Sequence, residues 1–204
     1  MPGFVDVRTG DWFYPDFAQA QTAGVVTEEP DKRFRPYEAV SRALFTAYLV
    51  RGLAPAQLSA WTESAASHGQ EGVEPTFRDV PAGYWAFKEI EVAARLGLVR
   101  GTGDGTTFCP DKLITRAQMA TMVCRALGFD TEQEWVRDLA ASYHQYNDVP
   151  PGYWAQGAIS LTKYLGLMVG DEKNCFRPLE NANRAQAITV VARLLRLVEG
   201  GSGS

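Results

Sequence analysis

The chain has 204 residues, of which 46% are hydrophobic and 22% charged, and its formal net charge is -4 at pH 7. These proportions are typical of a folded globular chain and exclude gross disorder, and the length allows one domain, two small domains or a short repeat array. The acidic balance without a basic cluster argues against duplex nucleic acid as a partner, two histidines leave little for catalysis or zinc, and no apolar stretch approaches the ~18 residues of a membrane span.

Five landmarks then recur three times in the same order along the chain. Each copy has an aromatic-x-Asp-Val motif, a tryptophan, a glycine, an aromatic-x-Pro motif and an arginine, at nearly constant spacing. Such an ordered recurrence indicates three copies of one unit rather than chance. In chain order the landmarks are Asp6, Trp12, Gly24, Phe34 and Arg42, then Asp79, Trp85, Gly97, Phe108 and Arg116, then Asp148, Trp154, Gly166, Phe176 and Arg184.

The repeats predict boundaries for the whole chain. We expect repeats over residues 4–53, 77–128 and 146–198, joined by 54–76 and 129–145, with 199–204 as a flexible linker or fusion scar. The joints contain helix-compatible pieces over 55–67 and 131–143. The first residues carry no signal-peptide pattern.

Each repeat predicts two short helices with a loop between them. In the second copy the first helix is expected over 84–96, ending at a left-handed Gly97. The second helix is expected to begin at Thr115, whose capping box with Gln118 closes its first turn. The equivalent caps are Asn183 with Gln186 in the third copy and a half-made Ser41 with Leu44 in the first.

Two short helices do not bury their apolar faces alone, so the three units must pack on one another. From the residues alone, a closed pseudo-threefold cluster and a linear array are equally compatible with three units. Either arrangement predicts a mainly α fold.

The recurring arginines Arg42, Arg116 and Arg184 fall at the first helical position, where a cation opposes the helix dipole. Two explanations remain open. Each arginine pairs with a repeat aspartate, or arginine and free backbone amides together grip a carboxylate or phosphate. A second set, Arg51, Arg125 and Arg193, is explained best by a solvated face or local salt bridges.

The other repeated residues have simple structural explanations. An Asx-turn accounts for the aspartates, and a core position is the default for the tryptophans, with a platform for a sugar face as the alternative. Gly101 and Gly170 are conformational or let a ligand approach the backbone. Three cysteines without a CxxC pattern indicate buried free thiols. No catalytic constellation, metal site or cofactor motif is found, so we expect no enzyme.

The motifs resemble the S-layer homology (SLH) family. The family pattern is similar to aromatic-x-Asp-Val, Trp, an aliphatic helix ending in Gly-Leu/Ile-Val, Gly, Phe-x-Pro and Thr-Arg-Ala-Glu/Gln. The second copy carries 77–80, Trp85, 96–99, Gly101, 108–110 and 114–118 in this order, and the third copy matches nearly as well. The first is the loosest, with Glu28 where a glycine is expected and Asp11 in place of a tyrosine.

The resemblance implies a fold and a function. SLH triplets form a pseudo-threefold trimer of helix-loop-helix repeats around a central helix bundle, and they anchor secreted proteins, usually fused to other domains, to the bacterial cell surface. They bind secondary cell-wall polysaccharide, often through a terminal pyruvylated N-acetylmannosamine, in grooves between modules. The implied ligand-binding residues are Arg42, Arg116, Arg184, Asp6, Asp79, Asp148, Trp12, Trp85, Trp154, Gly97, Gly101, Gly166 and Gly170.

The departures in the first copy favour the grooves of Arg116 and Arg184. The alternative function is a protein-interaction or S-layer assembly module that keeps the fold without binding glycan.

Overall fold

The computed structural model describes residues 3–27, 30–68, 74–129, 133–142 and 146–201. Within these residues the fold is mainly α, with isolated β-bridges and no sheet, as the sequence predicts. The eight helices of this described part are α1 (Tyr14–Thr22), α2 (Arg42–Leu53), α3 (Pro55–His68), α4 (Phe87–Arg95), α5 (Arg116–Ala126), α6 (Glu134–Ser142), α7 (Gln156–Tyr164) and α8 (Arg184–Gly201).

The second helix of each repeat begins where its cap predicts. Thr115 and Gln118 form both halves of the capping box, with a Gln118 N–H donating to the Thr115 hydroxyl at 3.3 Å. Asn183 and Gln186 do the same at the start of α8. Ser41 accepts only the Leu44 N–H, at 3.2 Å, so its box is half made as expected.

The first helix of the second repeat begins later than predicted. Residue 84 lies in a turn, where the Tyr84 N–H bonds to the Pro81 carbonyl, and α4 begins only at Phe87. The C-terminal prediction is confirmed, because Gly24, Gly97 and Gly166 have φ of 73°, 70° and 67°. At the other end of the chain, α8 continues to Gly201, into the stretch predicted as a linker.

Both joints contain a helix. In the first joint α3 packs on α2 and α4, and the Arg95 guanidinium covers the buried Trp61 ring at 4.0 Å. In the second joint α6 packs on α7. Residues 131, 132 and 143 of the helix predicted there lie outside the described residues.

The chain forms two compact units, residues 1–113 with 183–204 and residues 114–182. In unit 1, α8 packs on α1 and α2 packs on α4 and α8; in unit 2, α5 packs on α7. In all three copies the second helix therefore packs on the first helix of the next copy, and α8 of the third copy completes the series on α1 of the first. The repeats share their cores, as the two-helix argument requires.

Ion pairs stabilise two helix–helix contacts of unit 1, α2 with α4 and α1 with α8, and we call such a contact a seam. Arg51 of α2 bonds to Glu89 of α4 at 2.7 Å, and Asp16 of α1 receives Arg196 at 2.7 Å and Arg193 at 3.9 Å. The local salt bridges predicted for Arg51 and Arg193 are thus present. Glu89 and Asp16 occupy the same position in their repeats, and Ala158 stands there in the third.

Candidate functional site

Each aromatic-x-Pro motif opens a six-residue turn, over 34–39, 108–113 and 176–181, which we call docking turns 1, 2 and 3. The second residue of each turn adopts a left-handed backbone, with φ of 54° at Arg35, 57° at Cys109 and 59° at Arg177. Such values strain a residue with a side chain and require support from neighbouring groups.

The repeat aspartates supply that support. In docking turn 2 the Phe108 and Cys109 N–H groups donate to the two carboxylate oxygens of Asp79, each at 2.7 Å. Asp6 and Asp148 accept the equivalent pairs at 2.7–2.8 Å. The Asx-turn predicted for these aspartates is wrong, because their bonds span 28 to 30 residues. Both oxygens of each carboxylate hold main-chain amides, and Asp148 also acts electrostatically on Arg116.

Each docking turn holds the N-terminus of a helix from the preceding repeat. The Arg42 N–H donates to the Lys112 carbonyl and the Ala43 N–H to the Pro110 carbonyl, both at 2.9 Å. Docking turn 3 receives the first two amides of α5 in the same way, and docking turn 1 those of α8. The third amide goes to the cap side chain. The free backbone amides expected to grip an anion are therefore occupied.

The repeat arginines are buried against the same turns. Arg42 donates from Nε to the Phe108 carbonyl at 2.9 Å and from Nη2 to the Arg100 carbonyl at 2.8 Å. Arg116 repeats the pattern with Phe176 at 2.7 Å and Val169 at 2.8 Å. The guanidinium groups of Arg42, Arg116 and Arg184 lie 4.5, 4.6 and 5.0 Å from the centres of the Phe108, Phe176 and Phe34 rings.

These contacts explain why an arginine stands at the positive end of a helix dipole. Stacking on an aromatic face and charge-assisted bonds to carbonyls offset the dipole cost of ~0.3–1 kcal/mol. Burial lowers the pKa of the Arg116 guanidinium, while Tyr146 and the carboxylates of Glu180 and Asp148 oppose that shift. The backbone thus fixes the plane of the Arg42 and Arg116 guanidinium groups.

The repeat tryptophans are exposed rather than in the core, so the default prediction for them is wrong. Trp12, Trp85 and Trp154 are 57%, 54% and 58% exposed. The reason is the late start of the first helix, which buries the following residue instead: Phe13, Ala86 and Ala155 are 0–2% exposed. Three indole faces are therefore open to solvent at one repeated position.

Ring contacts connect Trp12 and Trp85 to the docking turns of their repeats. In the second repeat the Trp85 and Tyr84 rings are 5.9 Å apart, and the Tyr84 hydroxyl donates to Asp111 of docking turn 2 at 2.6 Å. Burial and this carboxylate raise the pKa of Tyr84 to about 12. In the first repeat, Trp12 contacts Phe13, which contacts Phe34 and Tyr37 of docking turn 1.

Three candidate sites follow, each built from a docking turn, the arginine that it holds and the tryptophan of the same repeat. Site 1 combines docking turn 1, Arg184 and Trp12. Site 2 combines docking turn 2, Arg42 and Trp85, and site 3 combines docking turn 3, Arg116 and Trp154. Sites 1 and 2 lie in unit 1 and site 3 in unit 2. An open cavity of about 400 Å³ lies at docking turn 3, lined by Asp148, Cys175, Arg177, Pro178, Leu179 and Glu180.

The predicted glycines have structural roles. A Cβ on Gly101 would lie 2.0 Å from the Gly105 carbonyl oxygen, and one on Gly170 would lie 2.3 Å from the Tyr146 ring. Gly97 and Gly166 end helices in the left-handed region. Ligand contact by these four glycines stays a prediction. Glu28, which weakened the first copy in the sequence comparison, lies outside the described residues.

Sequence reasoning missed the aromatic ring beside each arginine and the carbonyls that hold Arg42 and Arg116. The constant spacing between proline and arginine was visible, but it lies within one repeat, whereas the contacts join neighbouring repeats. Among the described residues no cluster of side chains could hold a metal ion, and no described helix is long and apolar enough to cross a membrane. All three cysteines are free thiols, and only Cys124 is buried, so burial was wrongly predicted for Cys109 and Cys175.

Comparison with known proteins finds relatives among bacterial surface proteins and enzymes. The chain is 33% identical over 196 residues to an endoglucanase of Bacillus sp. (strain KSM-635), covering 94% of this chain and 18% of that protein. It is 30% identical over 166 residues to a cellulosome-anchoring protein of Acetivibrio thermocellus (81% and 34%) and 32% identical over 108 residues to a surface layer protein of Brevibacillus choshinensis (53% and 9%).

The chain thus spans less than two fifths of the length of each of these relatives. The S-layer homology domain matches residues 3–43, 76–120 and 145–188. Each match contains a repeat aspartate, tryptophan, aromatic-x-Pro motif and arginine. With three tandem matches over more than half of its residues, the chain belongs to the S-layer homology family.

Proposed function

We propose that the chain is a non-catalytic anchoring module that attaches a secreted protein to the bacterial cell envelope by binding secondary cell-wall polysaccharide. The observation that carries the proposal is the threefold recurrence of a buried arginine stacked on the aromatic ring of a docking turn, together with an exposed tryptophan of the same repeat. The names of two relatives, a cellulosome-anchoring protein and a surface layer protein, support the same role.

The chemistry of each site suits a carboxylated sugar. A pyruvate ketal presents a carboxylate that the guanidinium edge receives in a planar, bidentate geometry. The apolar face of the sugar ring stacks on the exposed indole. We assign the aspartates to positioning the docking turn. Because the net charge is -4, attraction of an anionic polymer must be local, at the arginines.

Several sites on one chain explain how a weak monosaccharide contact becomes a firm attachment. Simultaneous occupation of two sites by one polymer raises the apparent affinity without any new contact. The repeats 4–53, 77–128 and 146–198 and their pseudo-threefold packing around a central bundle belong to this proposal. This part of the proposal is supported by the packing of α2, α5 and α8, each on the first helix of the next copy.

The tryptophans test the function better than the arginines do. Replacing a buried arginine removes bonds to main-chain carbonyls and weakens the fold, whereas Trp12, Trp85 and Trp154 are exposed. We expect the triple Trp→Ala variant to keep its melting temperature within a few degrees and to lose retention on purified pyruvylated wall polymer.

Matched controls separate the site from general effects. Trp135→Ala removes another exposed indole, from α6, and is expected to leave retention unchanged. Mild acid hydrolyses the pyruvate ketals of the wall polymer, and the polymer treated in this way is expected to retain no wild-type protein. Full retention of the triple variant, or equal binding to both polymers, would contradict the proposal.

The alternative is an interaction or S-layer assembly module without glycan binding. It predicts concentration-dependent oligomers in light scattering and no retention on either polymer. The half-buried thiols of Cys109 and Cys175 support this alternative if a reducing agent changes the oligomeric state.

A further inference from the structure

The three docking turns share one backbone but differ in the two residues after the proline. These are Tyr37-Glu38, Asp111-Lys112 and Leu179-Glu180. In docking turns 1 and 3 the glutamate pairs with the arginine three residues earlier, Arg35 at 3.7 Å and Arg177 at 2.9 Å. In docking turn 2 both partners are replaced, by Cys109 and Lys112. Within the described part of the chain Lys112 makes no ion pair.

The second residue after the proline of each docking turn lies directly beside the site arginine in all three copies. The carbonyl oxygens of Glu38, Lys112 and Glu180 accept the N–H of Arg184, Arg42 and Arg116 at 2.9 Å. Its side chain is exposed in each copy. In the third copy, the charge of Glu180 acts electrostatically on Arg116.

We propose that site 2, formed by Arg42 and docking turn 2, binds an anionic sugar more tightly than sites 1 and 3, and that residues 38, 112 and 180 set this order. The inference rests on the proposed glycan binding. It reverses the ranking that the sequence favoured, in which the Arg116 and Arg184 sites come first.

The order follows from the position of the charges and not from their sum. Asp111 balances Lys112 within docking turn 2, as Arg35 and Arg177 balance the glutamates in the other turns, so each turn is formally neutral. The Asp111 carboxylate is engaged by the Tyr84 hydroxyl beside Trp85. In docking turn 3, Arg177 is shared between Glu180 and Asp171, which leaves an additional carboxylate in that cluster.

The expected effect is moderate because the side chains are exposed. Reversing one exposed charge near the arginine is expected to change the affinity for a carboxylate on the order of three- to tenfold at low salt. Salt near 1 M shortens the screening length to roughly 3 Å and should bring the three sites closer in affinity.

Fluorine NMR of protein labelled with 5-fluorotryptophan gives one reporter for each site. Signals of Trp12, Trp85 and Trp154 are assigned with single Trp→Phe variants, and the probe is the methyl glycoside of pyruvylated N-acetylmannosamine. We expect the Trp85 signal to titrate at the lowest ligand concentration. Lys112→Glu should raise its midpoint about three- to tenfold, and Glu180→Lys should lower that of Trp154 by a similar factor.

Lys173→Glu is the matched control, since it makes the same change in net charge at an exposed turn residue of the third repeat. It is expected to leave the Trp85 midpoint unchanged. If Trp12 or Trp154 titrates first, or if Lys112→Glu has no effect on Trp85, the site order is wrong while glycan binding stands. If no tryptophan signal responds to the probe, both the order and the proposed function are overturned.

Discussion

At the scale of single residues, one carboxylate determines the shape of each candidate site. Asp79 accepts two adjacent amides of docking turn 2 and so holds Cys109 in the left-handed region. The carbonyls of that turn then fix Arg42. The aspartate therefore positions the arginine through the backbone, and both of its oxygens are already engaged.

Removing this carboxylate should loosen the turn. We expect Asp79→Ala to lower the free energy of unfolding by about 1–3 kcal/mol, because two part-buried amides lose their acceptors. Urea unfolding measures the change. Asp138→Asn, at an exposed position of α6, is the control and should have little effect. A stability of Asp79→Ala equal to that of the wild type would contradict the positioning role.

The three thiols differ in burial and should differ in reactivity. Burial raises the pKa of Cys124 to about 12, so at pH 8 its thiolate fraction is about one in ten thousand. We expect a thiol reagent such as Ellman's reagent to modify Cys109 and Cys175 in the folded protein and Cys124 only after unfolding in urea. Three rapidly reacting thiols in the native protein would contradict the buried position of Cys124.

At the scale of elements, local sequence signals predicted the capped ends of helices, whereas tertiary contacts determined the features that the sequence did not show. The caps at Ser41, Thr115 and Asn183 were predictable because they depend on neighbouring residues. The start of the first helix was not predictable, because the residues before Phe87 form a turn and the helix begins only after that turn. The partners of Arg42 were also hidden, because Phe108 lies 66 residues away in another repeat.

The seam between α2 and α4 depends on the ion pair of Arg51 and Glu89, whose side chains are 15% and 9% exposed. We expect Glu89→Leu alone to lower the free energy of unfolding by about 3 kcal/mol, since it leaves a part-buried guanidinium without its carboxylate. Arg51→Met together with Glu89→Leu should recover most of that loss. Urea unfolding of both single variants and the double variant measures the coupling.

In the seam of α5 and α7, Ala158 stands in the position of Glu89 while Arg125 keeps the position of Arg51, so the fold is compatible with an apolar residue at the carboxylate position. Additive effects of Arg51→Met and Glu89→Leu, with no recovery in the double variant, would show that the two side chains act independently of each other.

At the scale of the whole molecule, the repeats do not correspond to the packing units. Unit 1 contains the first repeat, most of the second and the last helix of the third. The sequence repeat was sufficient to predict three copies and a shared core. It left open which helices share each core, because each apolar stripe fits more than one partner.

Deleting residues 183–204 tests this interleaving. It removes α8, which packs on α1 and α2, and the Arg184 contact with Phe34. We expect hydrogen exchange measured by mass spectrometry to show a large loss of amide protection in α1, at the opposite end of the sequence. The α5·α7 and α6·α7 contacts of unit 2 contain no deleted residue, so protection of α7 should fall much less.

A shorter deletion of 200–204 keeps the α8 contacts and serves as the control. If α1 kept its protection without α8, the first repeat would be stabilised by its own two helices, and the shared core of unit 1 would be wrong.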